Sequence, residues 1–284
     1  MESTRTQYLS TANAARLLGV GPTSVKRWAD LGLLRCVRTA GNHRRFTRTE
    51  VERFARAVQA GQVVLDPSAR PEPLPPPPPA TPEEVAWTDR LLALGPFALH
   101  GALLAERQKL GSWWKVADVI GGALAELGNR WECGKISIID EHLASERLAR
   151  GVARCAESLT SPANAPIALL AAAAGDEHTL GLALAELVFR EAGYEVGWIG
   201  RYTPGDHLAA HLRSHPAAIV ALSASGCSQD AQALRTATLP VAHACEEVGA
   251  RLFLGGGGCW PTDLPASTRV YAFAELHAAL VDAA

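Results

Sequence analysis

Two hydrophobic rhythms divide most of the chain. From residue 83 to 159 apolar positions recur every three or four residues. Val85, Leu91, Leu92 and Leu94 are followed by Leu99, Leu103 and Leu104, and then by Trp114, Ala117, Val119, Ile120, Leu124 and Leu127. Leu143, Leu148, Val152 and Cys155 complete the series. That spacing keeps one side of an α-helix apolar. Pro82, Gly95-Pro96, Gly111 and the Gly128–Ile139 stretch interrupt it. The pattern predicts four helices of roughly 12–18 residues, packed as a small bundle. After Pro162 the rhythm changes to short apolar runs, predicting strands over Ile167–Ala174, Glu195–Ile199, Ile219–Ser223 and Arg251–Leu254. Helices are predicted between and after them, over Leu180–Ala192, Ala231–Val248 and Ala274–Ala284. Alternation of this kind builds a parallel, doubly wound sheet.

The first sixty residues follow a third pattern. Ser10 can cap a helix whose apolar side is Ala14, Ala15, Leu17 and Leu18. Gly19-Val20-Gly21 is a tight turn, Pro22 suits a first helical position, and Thr23–Leu31 reads as a second helix. Two short helices across a glycine-containing turn form a helix-turn-helix. Val25, Trp28 and Leu31 should point inward, leaving Thr23, Ser24, Lys26 and Arg27 for the base edges and phosphates of a DNA major groove. Leu33–Phe46 reads as two strands around Gly41-Asn42, a wing that presents His43, Arg44 and Arg45 to the phosphate backbone. Charge agrees. Residues 1–60 hold eleven Lys/Arg against four Asp/Glu, whereas the whole chain of 284 residues has a net charge of −2. A basic head on an acidic body points to a polyanionic partner for the head alone.

Between head and bundle lies RPEPLPPPPPATP, Arg70–Pro82, whose five consecutive prolines favour an extended spacer. The expected organisation is a winged helix-turn-helix over 1–63, a Pro-rich linker over 64–82, a helical bundle over 83–161 and a Rossmann-like, flavodoxin-like domain over 162–284. No apolar run approaches the roughly 20 residues that span a bilayer. Met1–Ser10 lacks the apolar core of a secretory signal. The six cysteines are scattered, with no CxxC pair, which argues against a zinc ribbon or a disulfide framework. A cytoplasmic protein with reduced thiols is expected.

One motif carries chemistry. Asp176, His178 and Gly181 (DxHxxG) fall in the first strand-to-helix loop of the expected sheet, where open α/β sheets bind ligands. A histidine there can offer one ring nitrogen to a metal while a carboxylate two residues earlier holds the other nitrogen and fixes the tautomer. A plain surface hydrogen bond is the alternative use of such a pair. The motif resembles the base-off, histidine-on signature of cobalamin-binding domains such as those of methionine synthase and the corrinoid proteins. That resemblance implies that His178 is the lower axial ligand of cobalt. It also implies that Ser223, at a strand end, and Gly255 and Gly256, in FLGGGGC, line a groove for the displaced nucleotide tail. The family form Ser-x-Leu is here Ser223-Ala224-Ser225, a departure at the third position.

The head, YLSTANAARLLGVGPTSVKRWADLGLL followed by AGNHRRF, resembles MerR-family regulators. The spacing Trp131-x(9)-Glu141-His142 is similar to the W-x(9)-EH signature of light-sensing cobalamin regulators of the CarH/LitR type. In that family the bundle is a cap over the upper face of the cofactor. The tryptophan shields an adenosyl group and the Glu/His pair contacts its side of the pocket, roles that would fall to Trp131, Glu141 and His142. The resemblance implies a transcriptional regulator, a repressor rather than an enzyme, that binds adenosylcobalamin and a double-stranded operator. It would be tetrameric in the dark and fall apart in light. One position departs: the family's light state uses a second histidine directly after the tryptophan, and here that residue is Glu132. Two rival readings stand beside this one, a MerR-like cobalamin sensor that does not use light and a corrinoid methyl carrier. The basic head speaks against the carrier.

Overall fold

The structure is a computed structural model, and it describes residues 8–20, 22–30, 33–38, 44–59, 79–226, 228 and 230–281. Most of the expected linker, 64–82, lies outside them. The chain forms two compact units, Met1–Pro79 with Asn129–Ile136, and Ala80–Gly128 with Ser137–Ala284.

The first unit opens with β1 (Tyr8–Leu9) and α1 (Thr11–Leu18). Ser10 caps α1 as expected, its side chain accepting from the Asn13 amide at 3.2 Å. The helix ends at Gly19, whose φ of 68° is one that a side chain would resist. Then come α2 (Pro22–Asp30), β2 (Val37–Arg38), β3 (Arg44–Thr47) and α3 (Arg48–Gln59). The strands form an antiparallel sheet in the order β1-β3-β2. Leu9, Ala14, Ala15, Val25, Leu34, Phe46, Val51 and Phe54 make the core, with Trp28 tilted against Phe54 at 5.0 Å between ring centres. The hairpin strands are where the hydrophobic pattern places them. β1 and α3 are additional elements. The first is too short to carry a period, whereas Val51 and Phe54 do mark the buried side of α3 at helical spacing.

In the second unit the four bundle helices are α4 (Pro82–Ala93), α5 (Pro96–Leu110), α6 (Trp113–Glu132) and α7 (Ile138–Glu157). Thr81 and Ser137 cap α4 and α7 with full capping boxes. Trp87, Leu91, Leu99, Leu103, Val116, Ile120, Leu148 and Val152 are buried. Thr88 is fully buried too, its hydroxyl 3.0 Å from the Ala123 carbonyl oxygen on α6. Two expectations need correction. The break expected from Gly128 begins only after Glu132: a glycine inside a helix costs about 1 kcal/mol, too little to end one anchored by buried Ala123 and Leu127. Leu104 and Leu143, both expected on the apolar side, are 40% and 46% exposed, the second on the opening turns of α7. Among the described residues no helix is long and apolar enough to cross a membrane.

The sheet comprises β4 (Ile167–Ala172), β5 (Glu195–Gly200), β6 (Ile219–Ser223), β7 (Arg251–Gly255) and β8 (Ser267–Arg269). It is parallel throughout, in the order β5-β4-β6-β7-β8. Counted from β4 this is 2-1-3-4-5, so the chain reverses its direction of travel between β4 and β6 and opens a crevice at their carboxyl ends. The connecting helices are α8 (Leu180–Glu191), α9 (Gly205–Ser214), α10 (Ala231–Val248) and α11 (Phe273–Val281). Leu208, Leu212, Val241 and Cys245 from α9 and α10 pack against Leu169, Val220, Leu222 and Leu254 on one face. The bundle joins α8 through Glu191, which pairs with Arg107 and accepts from the Trp113 amide at 2.7 Å. Pattern reading omits α9 and β8, because His207, His211 and Arg213 dilute the apolar side of α9 and β8 has three residues.

Burial pushes the Cys155 thiol up to about 11 and the Cys245 thiol up to about 12. Thiolate is the reactive form. Under native conditions at neutral pH, a maleimide or iodoacetamide is therefore expected to label exposed Cys133 and spare both buried thiols until the protein is unfolded. Peptide mass mapping would show it. Native labelling of Cys155 or Cys245 would contradict the packing described above.

Candidate functional site

The loop from β4 to α8 crosses the carboxyl edge of the sheet at the switch point. Its first residue is tied to the next strand, the Ala173 amide donating to the Ser223 carbonyl at 2.8 Å. Gly175, at φ 81°, then turns the chain so that Asp176 is buried to 2% exposure and His178 emerges with its side chain 64% exposed. Asp176 Oδ1 lies 2.9 Å from His178 Nδ1 and accepts the His178 amide at the same distance. Its Oδ2 accepts the Ser225 amide at 2.6 Å and the Ser228 hydroxyl at 2.7 Å, both from the loop after β6. Burial alone would raise this carboxyl. The hydrogen bonds outweigh burial and hold it well below the usual carboxylate range.

An ionised Asp176 assigns the proton on the imidazole. Nδ1 carries the hydrogen that the carboxylate accepts, which leaves the Nε2 lone pair directed out of the loop. The His178 pKa is raised, first by the Asp176 hydrogen bond and further by the charges of Asp176, Glu141 and Glu177. Glu141 thus lies within electrostatic reach of His178, although it belongs to α7 of the bundle. It also accepts from the Ser145 hydroxyl at 2.7 Å and stands 3.6 Å from His142 Nε2. His142 is 55% exposed. Trp131 sits half-buried on the last turn of α6. Its neighbour Glu132 is 3.3 Å from Lys26 Nζ within the first unit. Exposed pairs of this sort contribute about 0–1 kcal/mol, so Lys26 remains available to a phosphate.

A cavity of about 210 Å³ lies between α8, which follows the His178 loop, and the ends of β6 and β7. Gly181, Ser223, Gly255 and Gly256 line it with Phe189, Phe253 and the 270–273 segment. Its walls are mostly apolar, with the Ser223 hydroxyl as a polar point. Space explains one of the glycines. At Gly256, φ is 80°, and a Cβ would strike the Ala224 carbonyl oxygen and stand 3.2 Å from Ser223 Oγ. A Cβ at Gly255 would meet only Leu222 O, at 3.9 Å, so that position is conformationally ordinary. Trp260 Nε1 donates to the Gly255 carbonyl at 2.8 Å and fixes the strand end. Ser225 and Ser228, which the sequence did not single out, prove to be the outer partners of the Asp–His pair. Their signal was faint: two serines in a loop whose path only the sheet defines.

In the head, Ser24 and Lys26 lie half-buried on α2, rather than fully exposed as the helix pattern suggests, and Arg44 and Arg45 lie half-buried on β3. The side chains of Thr23 and Arg27, and all of His43, fall outside the described residues.

Comparison with known proteins assigns the parts of the chain to domain types. A helix-turn-helix domain model matches residues 8–58. B12 binding domain models match residues 166–275 and, in the bundle, 116–156. No curated protein sequence matches the chain. Among solved structures, the monomethylamine corrinoid protein of Methanosarcina barkeri is similar at 13% identity, with a TM-score of 0.51 over 70% of this chain and 97% of that one. A cobalamin-binding protein from Desulfitobacterium hafniense aligns at 15% identity and a TM-score of 0.36, over 70% of this chain and 97% of its own. At these identities the likeness concerns the fold.

The fold and site define a cobalamin-binding protein with a DNA-binding head. The order of its parts, helix-turn-helix, then helical B12-binding segment, then α/β B12-binding domain, matches that of a CarH-like cobalamin-binding regulator. The residues present fit the cofactor. His178 would offer its exposed imidazole nitrogen to cobalt, and the cavity between α8 and the ends of β6 and β7 would take a nucleotide tail.

Proposed function

We propose that this protein is a MerR-type transcriptional repressor that binds adenosylcobalamin, responds to light, and acts in the cytoplasm on a double-stranded operator. The observation that carries cofactor binding is the Asp176–His178 pair at the switch point, anchored by Ser225 and Ser228. The light response is supported by the resemblance of Trp131, Glu141 and His142 to the photoreceptor signature. Bound adenosylcobalamin would supply a light-labile cobalt–carbon bond. The protein's part would be to hold the group through the His178 imidazole nitrogen and to contact it through Glu141 and His142 of the first turns of α7. A ligand shifts a two-state assembly only by contacting the states unequally, so the α7 contacts are where a lost upper group would be felt. A dark tetramer would raise operator affinity by linking several weak heads.

The test is an absorption spectrum of the purified protein with adenosylcobalamin in the dark and after illumination, read beside its mobility on DNA. A light-induced spectral change with loss of DNA binding supports the proposal. Binding of cofactor and DNA that ignores light would leave a cobalamin sensor of another kind.

The wing has its own test. Arg44→Ala or Arg45→Ala is expected to weaken binding evenly across DNA sequences and to lower the salt slope by about 1 for each lost phosphate contact. Titration by fluorescence anisotropy at several salt concentrations measures this. An unchanged slope would remove the wing from the interface.

A further inference from the structure

α6 carries Trp114, Asp118 and Gly121 at spacings of four and three, one side of the helix. That side meets α11, the last helix of the α/β domain. Asp118 Oδ1 accepts the Phe273 amide at 2.8 Å, and Oδ2 accepts the Ala274 amide at 3.2 Å. Trp114 stacks on His277, with ring centres 5.6 Å apart and planes inclined by 20°. A Cβ at Gly121 would stand 3.7 Å from the Phe273 ring, ordinary packing distance, so the ring lies against this side of α6.

Helix starts leave backbone amides without partners, and a side chain just before the helix normally accepts from them. Here Ala272 precedes α11 and has no acceptor. A carboxylate from the bundle takes that place, 155 residues away in sequence. The same stretch is one wall of the cavity: Val270, Tyr271, Ala272, Phe273 and Leu276 all line it. Phe273 is common to both, a residue of the cavity wall whose amide donates to Asp118.

We infer that Asp118 is a positioning residue that couples the helical bundle to the nucleotide-tail cavity, so that seating the tail and seating α6 against α11 reinforce each other. This rests on the reading that the cavity takes the tail. The coupling is reciprocal by thermodynamic necessity: whatever tail occupancy adds to the α6–α11 contact, that contact adds to tail binding.

The experiment compares two ligands on the full chain, cobalamin and cobinamide, which keeps the corrin and cobalt but lacks the nucleotide tail. Asp118→Ala is expected to weaken cobalamin by about tenfold, in line with loss of hydrogen bonds to a charged acceptor. Cobinamide affinity should change by less than about threefold. Asp118→Asn, which retains one acceptor oxygen, should fall between wild type and alanine. Hydrogen exchange without ligand gives a second readout, with amides at the start of α11 exchanging faster in Asp118→Ala. Equal losses for both ligands would mean that Asp118 merely supports the fold, and would overturn the coupling, as would no loss for either. If wild type itself failed to distinguish cobalamin from cobinamide, the tail-cavity reading would fall first and the coupling with it.

Discussion

His178→Ala is expected to convert tight, base-off cobalamin binding into loose binding with the tail still on cobalt, the affinity falling on the order of a hundredfold. Groups that merely orient a metal-ligating histidine are typically worth about 10–100-fold in metal affinity, so the ligand itself belongs at or beyond the upper end. Asp176 itself cannot substitute: it is buried, and its four hydrogen bonds occupy both oxygens. Asp176→Asn should cost less affinity, about tenfold, because the nitrogen remains while its orientation loosens. It should cost stability as well. An amide group would turn a donor toward Ser225 N–H, Ser228 O–H or the His178 ring, and a buried unmatched polar contact costs about 1–3 kcal/mol. Absorption spectra distinguish the base-off and base-on forms, and titration gives the affinities. Undiminished base-off binding in His178→Ala would assign the lower ligand to another residue or to none.

Gly181→Leu should separate folding from tail binding. Gly181 lies in the first turn of α8, and a Cβ there would stand 3.9 Å from Ser223 Oγ, an ordinary contact. Leucine is about 1 kcal/mol better than glycine in a helix, so stability should be kept or raised. Its side chain, however, would enter the 210 Å³ cavity from the side that Gly181 lines. Intact cobalamin is expected to lose about a hundredfold in affinity, whereas cobinamide should be nearly unaffected, since each tenfold corresponds to about 1.4 kcal/mol and the clash concerns the tail alone. Thermal denaturation and paired titrations check both halves. Unchanged cobalamin affinity in a folded Gly181→Leu protein would place the tail elsewhere. Gly256 would not serve as well for this test, because its positive φ and the Ala224 carbonyl make any side chain there a folding defect.

Short-range features were legible before the structure. Ser10 as a cap, Gly19 as a helix end, four bundle helices and the core strands of the sheet all follow from local propensity or from periods of 3.6 and 2, which the chain writes residue by residue. The wing strands around Gly41-Asn42 and the Asp–x–His loop were readable for the same reason. Errors cluster where local signals compete with packing. Gly128 reads as a stop, yet α6 runs on to Glu132 because one glycine costs a helix only about 1 kcal/mol. Leu143 reads as core, yet the opening turns of α7 stand clear of the bundle interior.

The sequence by itself determined the elements, the charged head, and the identity of the Asp176–His178 pair, because these depend on neighbours a few residues apart. Tertiary structure alone decided the rest of the site. Strand order brought Ser225 and Ser228 to Asp176 across about fifty positions, and the packing of the bundle set Asp118 against the start of α11. Such contacts carry no periodic signal, since a hydrogen bond between distant segments constrains only the two residues that make it. Which residues those are is fixed by the order in which the strands join.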